Sequence, residues 1–328
     1  MSSPHRRSLN ALSMALMGDA GAPPRDRTSA SLRVQGLGFS ALAWLAVVAC
    51  LWLPPLRTQL QLAMLAPVIL LLGVPHGALD VVFVRQLAGV RSVAGWSLFT
   101  LAYVAVAASI VLLWWLAPGI FLVLFLLVSV FHFSGDPEGR TPVLLRTLYG
   151  GAVVFCPLAL HAAEVTQLFA FLAGWPAAQT IVMVLRSAAW PWTAAIFLAA
   201  VVGARRAPVR SIEVLSLAAL LAFTPPLIGF TLFFCVMHSA RHVLRTRDYS
   251  TAGTFGALLR VARWPMLATL AGAAIAVGGY SGRPLDLQLV QVLFVGLAAL
   301  TVPHMIVVER VRLTGWIKGR ALSIGENA

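Results

Sequence analysis

Charge is what this chain has least of. Asp, Glu, Lys and Arg make up 11% of its 328 residues, where soluble domains carry about 25%, and that scarcity excludes an ordinary soluble globule. Cysteine is scarce as well. Cys50, Cys156 and Cys235 are odd in number, lie in apolar runs and show no CxxC spacing, so they read as packing residues and no disulfide framework is expected. Residues 1–35 lack a long apolar stretch and a clear cleavage site. They are rich in Arg, Ser, Gly, Ala and Pro and are expected to form a disordered cytoplasmic tail ahead of an uncleaved signal anchor. No internal repeat or further low-complexity segment stands out.

What the chain has in abundance is apolar sequence: 60% of its residues are hydrophobic and the mean hydropathy is +0.89. A membrane-spanning helix needs about 20 apolar residues. Such stretches occur near 37–56, 59–84, 96–116, 119–135, 142–162, 178–203, 211–224, 226–244, 265–280 and 287–308. They predict an all-α, polytopic transmembrane helix bundle of about ten spans, with seven to ten as the range. Its transmembrane domain would cover 36–312, followed by a short cytoplasmic tail at 313–328. The stretch at 211–224 is short, and Pro225 and Pro226 break it from the next, so a re-entrant segment is an alternative there.

A net charge of +13 would ordinarily raise the question of nucleic acid. Topology answers it. With the N-terminus in the cytoplasm and ten spans, all but three of the 24 Lys and Arg residues (Arg57, Arg186 and Arg283) fall on the cytoplasmic side. That is the positive-inside pattern, with contact to anionic lipid as its by-product. It implies a multi-pass protein of the cytoplasmic membrane and no nucleic-acid partner.

Against this apolar background, five of the seven histidines stand out: His76, His132, His238, His242 and His304. Each lies in an even-numbered span, and alternation across the bilayer brings all five toward the cytoplasmic face. Imidazoles inside a membrane are costly unless partnered, so a functional site is the default reading. His238 and His242, in His238-Ser239-Ala240-Arg241-His242, share a helix face at the i, i+4 spacing that suits two ligands of one metal ion. His76 lies in Pro75-His76-Gly77-Ala78-Leu79-Asp80, flanked by Gly73 and Gly77, which permit close approach. Asp80, four residues on, is placed to accept the His76 N–H and fix its tautomer. His132, in Phe131-His132-Phe133-Ser134-Gly135-Asp136, repeats the arrangement with Asp136, although Gly135 and Pro137 favour a loop there. His304 follows Pro303 in the last span, with capping, support of a ligand and substrate contact as open roles. His161, beside Glu164, belongs at the opposite face, and His5 lies in the tail. Four neutral imidazoles without a thiolate suit Fe(II), Zn(II), Cu or Ni by ligand type alone.

Together, PHGALD at 75–80, FHFSGD at 131–136, HSARH at 238–242 and PHM at 303–305 resemble the Brp/Blh family of bacterial and archaeal membrane β-carotene 15,15′-dioxygenases. The resemblance covers about residues 37–312 in motif order and spacing. It implies a non-haem Fe(2+) held by His76, His132, His238 and His242, with Asp80, Asp136 and His304 as supporting or additional site residues. It also implies β-carotene and O2 as substrates, cleavage of the central double bond to two all-trans-retinal, and delivery of retinal to a microbial rhodopsin. Ser134 departs from the family pattern, which favours glycine, and the polar tail is an addition. Phe131, Phe133, Trp114, Trp115, Phe233, Phe234 and Met237 lie near the histidine-bearing helices in sequence and offer aromatic and soft apolar faces for a polyene.

Two other classes fit less well. A di-iron hydroxylase or desaturase needs about eight or more histidines or carboxylates in several clusters, and this chain has one HxxxH. A haem or transport protein would pair its histidines across facing helices, whereas the i, i+4 pair points at one small ion.

Overall fold

The computed structural model describes residues 24–54, 56–87, 90–137, 141–249, 254–279 and 282–311. These form helices throughout, with no strand among the described residues, as an apolar chain in lipid requires, because every backbone N–H and C=O must be satisfied within its own segment. Among the described residues, eight helical stretches are long and apolar enough to cross a membrane: Ala30–Trp52, Thr58–Arg85, Val93–Leu116, Val143–Leu160, Trp175–Gly203, Pro226–Asp248, Phe255–Gly279 and Leu285–Glu309.

In chain order, α1 is Pro24–Trp52. Next come α2 (Thr58–Val68), a π-helical turn π1 (Ile69–Gly73), α3 (Pro75–Ala78) and α4 (Asp80–Leu87), then α5 (Val93–Leu116), α6 (Pro118–Phe133) and α7 (Val143–Leu160). The middle of the chain holds α8 (Ala162–Ala173), α9 (Trp175–Gly203) and α10 (Pro208–Phe223). Then follow α11 (Pro226–Leu232), π2 (Phe233–Ser239), α12 (Ala240–Tyr249), α13 (Phe255–Gly279), α14 (Leu285–Val290), π3 (Gln291–Val295) and α15 (Gly296–Val311).

All ten expected stretches are helical, but two are short of a full span. α6 and α10 have 16 residues each, about 24 Å at 1.5 Å per residue, against a hydrocarbon core of about 30 Å. At 211–224 the chain forms one continuous helix, and α10 is a core element, with Val214, Leu217, Ala218 and Leu221 buried. The short helix α8 is additional. It falls between two expected spans and is set off by Gly174, whose φ of 80° is open to glycine at little cost.

The first helix reaches into the stretch expected to be tail. α1 begins at Pro24, and near its start Leu32 is buried while the Gln35 side-chain amide donates to Val236 O at 2.7 Å. Partners far along the chain hold Gln35 in the bundle. Residues 1–23 and the tail at 313–328 lie outside the described residues.

The largest core joins α1, α7, α9, α10 and π2 through Phe39, Ala152, Cys156, Ile196, Leu217 and Phe233. Close approach of α7 to its neighbours depends on two glycines. A Cβ at Gly150 would strike the Val130 carbonyl and Ser134, and one at Gly151 would strike the Trp192 ring. This is the small-residue packing expected of helices in lipid. The three cysteines are free, with Cys156 and Cys235 buried.

Candidate metal centre

Four separate segments carry the five membrane histidines to one point at the same end of the bundle. His76 sits in α3, just past π1; His132 near the end of α6; His238 within π2; His242 in α12; and His304 in α15, after π3. All five are buried. Three of the four segments contain a π-turn, a geometry that recurs at functional sites.

The rings form a closed cluster. His76 lies edge-on to His238 at 5.0 Å between centroids, to His242 at 5.6 Å and to His304 at 5.1 Å. His132 adds contacts to His238 at 4.6 Å and His304 at 5.5 Å, and His242 meets His304 at 5.1 Å. His76, His132 and His304 each offer a ring nitrogen, and these lie within 4.8 Å of one another. His304, left without a role by spacing alone, is thus part of the cluster.

Donor arithmetic sets the character of the site. His304 Nδ1 donates to Asp80 Oδ1 at 2.6 Å. His238 Nδ1 donates to Asp136, 3.0 Å from both carboxylate oxygens, and His76 Nδ1 donates to the Gly73 carbonyl. In each neutral ring the N–H is consumed outward and Nε2 is left as a lone pair. His304 Nε2 is buried and has no hydrogen-bond partner. His132 Nε2 and His238 Nε2 face each other at 3.0 Å, close enough to share either one proton or one cation. Three buried lone pairs, on His76, His238 and His304, are thus each oriented from behind by an oxygen, the arrangement that tunes metal-binding imidazoles.

The two aspartates act across helices, which corrects the expected i, i+4 pairing. Asp80 serves His304 and Asp136 serves His238, rather than His76 and His132. The reason is local. Leu79 closes α3 in a turn before α4 begins at Asp80, so His76 and Asp80 do not share a helix face. Asp136 stands past the end of α6, in the loop that Gly135 and Pro137 favour.

Residues without a sequence signal complete the support. Tyr103 donates to Asp80 Oδ2 at 3.1 Å from α5. Ser239 lies 2.8 Å from Leu72 O and 3.0 Å from Gly73 O, tying π2 to π1. Arg245 donates to the Asp136 carbonyl at 2.7 Å. Of the expected flanking glycines, Gly73 meets the Phe234 ring where a Cβ would be, while Gly77 faces open space. Ser134 folds its hydroxyl back onto Val130 O at 2.6 Å and does not intrude on the cluster. His161 pairs instead with Glu164 at 3.1 Å, outside the cluster as expected.

Beside the histidines lies a cavity of about 510 Å³ that includes His76, Gly77, Asp80, Tyr103 and His304 in its wall, with Phe99 and Trp264 from α5 and α13. A second cavity of about 300 Å³ shares Val74, Thr269, Leu297 and Leu300 with it and extends along Trp114. A smaller one of about 100 Å³ is lined by Phe133, Ser129 and Phe230. Among the expected lining residues, Phe233, Phe234 and Met237 are buried close to the cluster, whereas Phe131 and Trp115 are 57% and 74% exposed and face outward.

The family model described as Beta-carotene 15,15'-dioxygenase matches residues 67–311. A curated protein of that name from an uncultured marine bacterium, 66A03, is 29% identical over 255 residues, covering 74% of this chain and 90% of its own length. No solved structure matches the chain.

Proposed function

The chain belongs to the beta-carotene 15,15'-dioxygenase family, and from this membership and the geometry of the histidine cluster we propose that it cleaves the central 15,15′ double bond of β-carotene with O2 to give two retinal molecules. The observation that carries the proposal is the set of buried imidazole nitrogens turned inward at the wall of a large cavity.

A metal ion fits this donor set. We assign His76, His132, His238 and His242 as its ligands and add His304, whose unpartnered Nε2 belongs to the same cluster. Neutral nitrogen ligands with no thiolate suit a redox-active divalent metal, and Fe(2+) is the assignment that matches dioxygen chemistry. When bound, such an ion supplies the activation of O2 that a side chain cannot. The protein's part is to hold the imidazoles in one tautomer through Asp80, Asp136 and the Gly73 carbonyl. It also excludes bulk water from a buried site and positions the middle of a rigid polyene beside the cluster. The cavity wall is largely hydrocarbon, with Phe99, Tyr103 and Trp264 as aromatic faces, which is suitable for a substrate with no polar end groups.

The wall formed by α5 and α13 faces outward into the lipid region, so a carotenoid dissolved in the bilayer needs no aqueous step to reach the site. With the N-terminus cytoplasmic, the cluster lies toward the inner face of the cell membrane, and retinal leaves into the same bilayer, where a microbial rhodopsin can take it up.

Expression in a β-carotene-producing cell that lacks other cleavage enzymes, followed by chromatography, tests the reaction. Retinal as the product, with iron in the purified protein, is expected. Longer apocarotenals would overturn the cleavage position, and a haem absorption band or absence of iron would overturn the metal assignment.

A further inference from the structure

Arg241 is the largest fully buried side chain among the described residues, and it stands between His238 and His242 in sequence. A charge inside a membrane protein is expensive and marks function by default, yet Arg241 points away from any role as a ligand. Its Nη2 pairs with Glu213 Oε1 of α10 at 3.2 Å, and its Nε donates to Gln35 Oε1 of α1 at 3.0 Å. Gln35 in turn spends its amide N–H groups on π2, donating to Val236 O at 2.7 Å and Met237 O at 3.3 Å. In a π-turn the carbonyls are displaced from the regular i, i+4 ladder, and Gln35 supplies donors to two of them immediately before His238. The next residue, Gly36, keeps the place clear: a Cβ there would strike the Glu213 carboxylate and come within 3.0 Å of Arg241 Nη2.

We infer that Gln35, Glu213 and Arg241 form a polar clamp, centred on the buried Arg241, that sets the rotation of the π2–α12 segment, making Arg241 a positioning residue for His238 and His242. A helix turns about 100° per residue, so anchoring one side chain between two ligands fixes the direction of both. α1 and α10 are the right anchors, because both belong to the main core. The inference rests on the proposed metal site and concerns how tightly that site is organised.

Replacing both members of a buried ion pair by apolar residues of similar volume is often neutral for stability, whereas removing one strands a charge. The double variant Arg241→Met/Glu213→Leu therefore separates packing from positioning. Purified, metal-stripped protein is titrated with Co(II), and affinity and visible absorption are read alongside thermal stability. We expect near-wild-type stability, affinity weakened by about ten- to a hundred-fold, as for loss of groups that orient metal ligands, and an altered Co(II) spectrum. Gln35→Leu keeps the ion pair but removes the donors to π2, and a smaller loss of affinity with the same spectral change is expected. If the double variant does not insert, Gln35→Leu and the near-isosteric Glu213→Gln decide. Wild-type affinity and spectrum in every folded variant would overturn the clamp. Failure of the wild-type protein to bind Co(II) would instead overturn the metal site itself.

Discussion

Helices α5 and α7 are both strongly apolar, and their fates differ completely. Val93–Leu116 has the highest mean hydropathy of the eight spanning stretches, 2.1, and none of it is buried; Val143–Leu160, at 1.8, is half buried. In water the more apolar helix would be the inner one, but lipid tails are as apolar as a leucine side chain, so hydropathy does not sort inside from outside here. Small residues do so instead. α7 carries Gly150, Gly151 and Ala152 in its packed face, whereas α5 has no buried residue and reaches inward with two polar side chains, Tyr103 to Asp80 and Trp114 Nε1 to Leu172 O at 2.8 Å. The molecule thus has a packed side, which anchors His238 through Asp136 and the main core, and a loose side around α5 and α13, which walls the cavity and reaches the cluster through Asp80 and His304.

The largest effects should ignore this division, because the histidine cluster proposed to hold the metal lies on the boundary. His132→Ala or His238→Ala should abolish retinal formation and strip iron from protein that still inserts, as read by chromatography and metal analysis. Near-wild-type retinal from either would break the reading of the cluster.

The two carboxylates divide the sides more finely. Asp136→Ala and Asp80→Ala should each weaken metal binding by about ten- to a hundred-fold, measured by titration of the stripped protein. Wild-type affinity for either variant would remove that aspartate from the site.

Glycine substitutions then separate the sides by kind of effect. Gly151→Leu, driven against Trp192, should lower thermal stability in detergent. Gly77→Leu meets open cavity and should leave stability and iron content unchanged while raising KM about tenfold. The division fails if the Gly77 variant unfolds or if the Gly151 variant is as stable as wild type.

Tyr103→Phe removes one hydrogen bond to Asp80, worth about 1 kcal/mol, and a several-fold loss of metal affinity is expected. Leu101→Ala on the exposed face of α5 is the control. It should shift stability by less than about 0.5 kcal/mol.

Much of this was legible in the sequence. Apolar length placed the helices, and alternation placed all five histidines at one end before any contact was known. The partners of the aspartates were not legible. The i, i+4 rule holds only along an unbroken helix, and Leu79 ends one between His76 and Asp80, while Asp136 lies outside α6 altogether. His304 gave no sign through spacing, since its membership depends on α15 packing beside α5 and α4. Tyr103 and Gln35 were equally silent, because a single polar residue in an apolar stretch looks the same whether it serves a site or faces its own backbone. The anchoring of α1 was hidden by composition: Gln35 lies in a stretch that looks solvated in isolation, yet its partner is 201 positions away.

The three π-turns have one more consequence. Each accommodates a residue more than a regular turn and so acts as a phase shifter along its rod, advancing everything on one side by about 100° relative to the other. The side chains that pack α2, α11 and α14 into the bundle and those that reach the histidine cluster are therefore set on two separate clocks. Removing a single residue from Phe233–Ser239 would bring the two into step, leaving α11 packed as before and turning His238 and His242 toward a different neighbour.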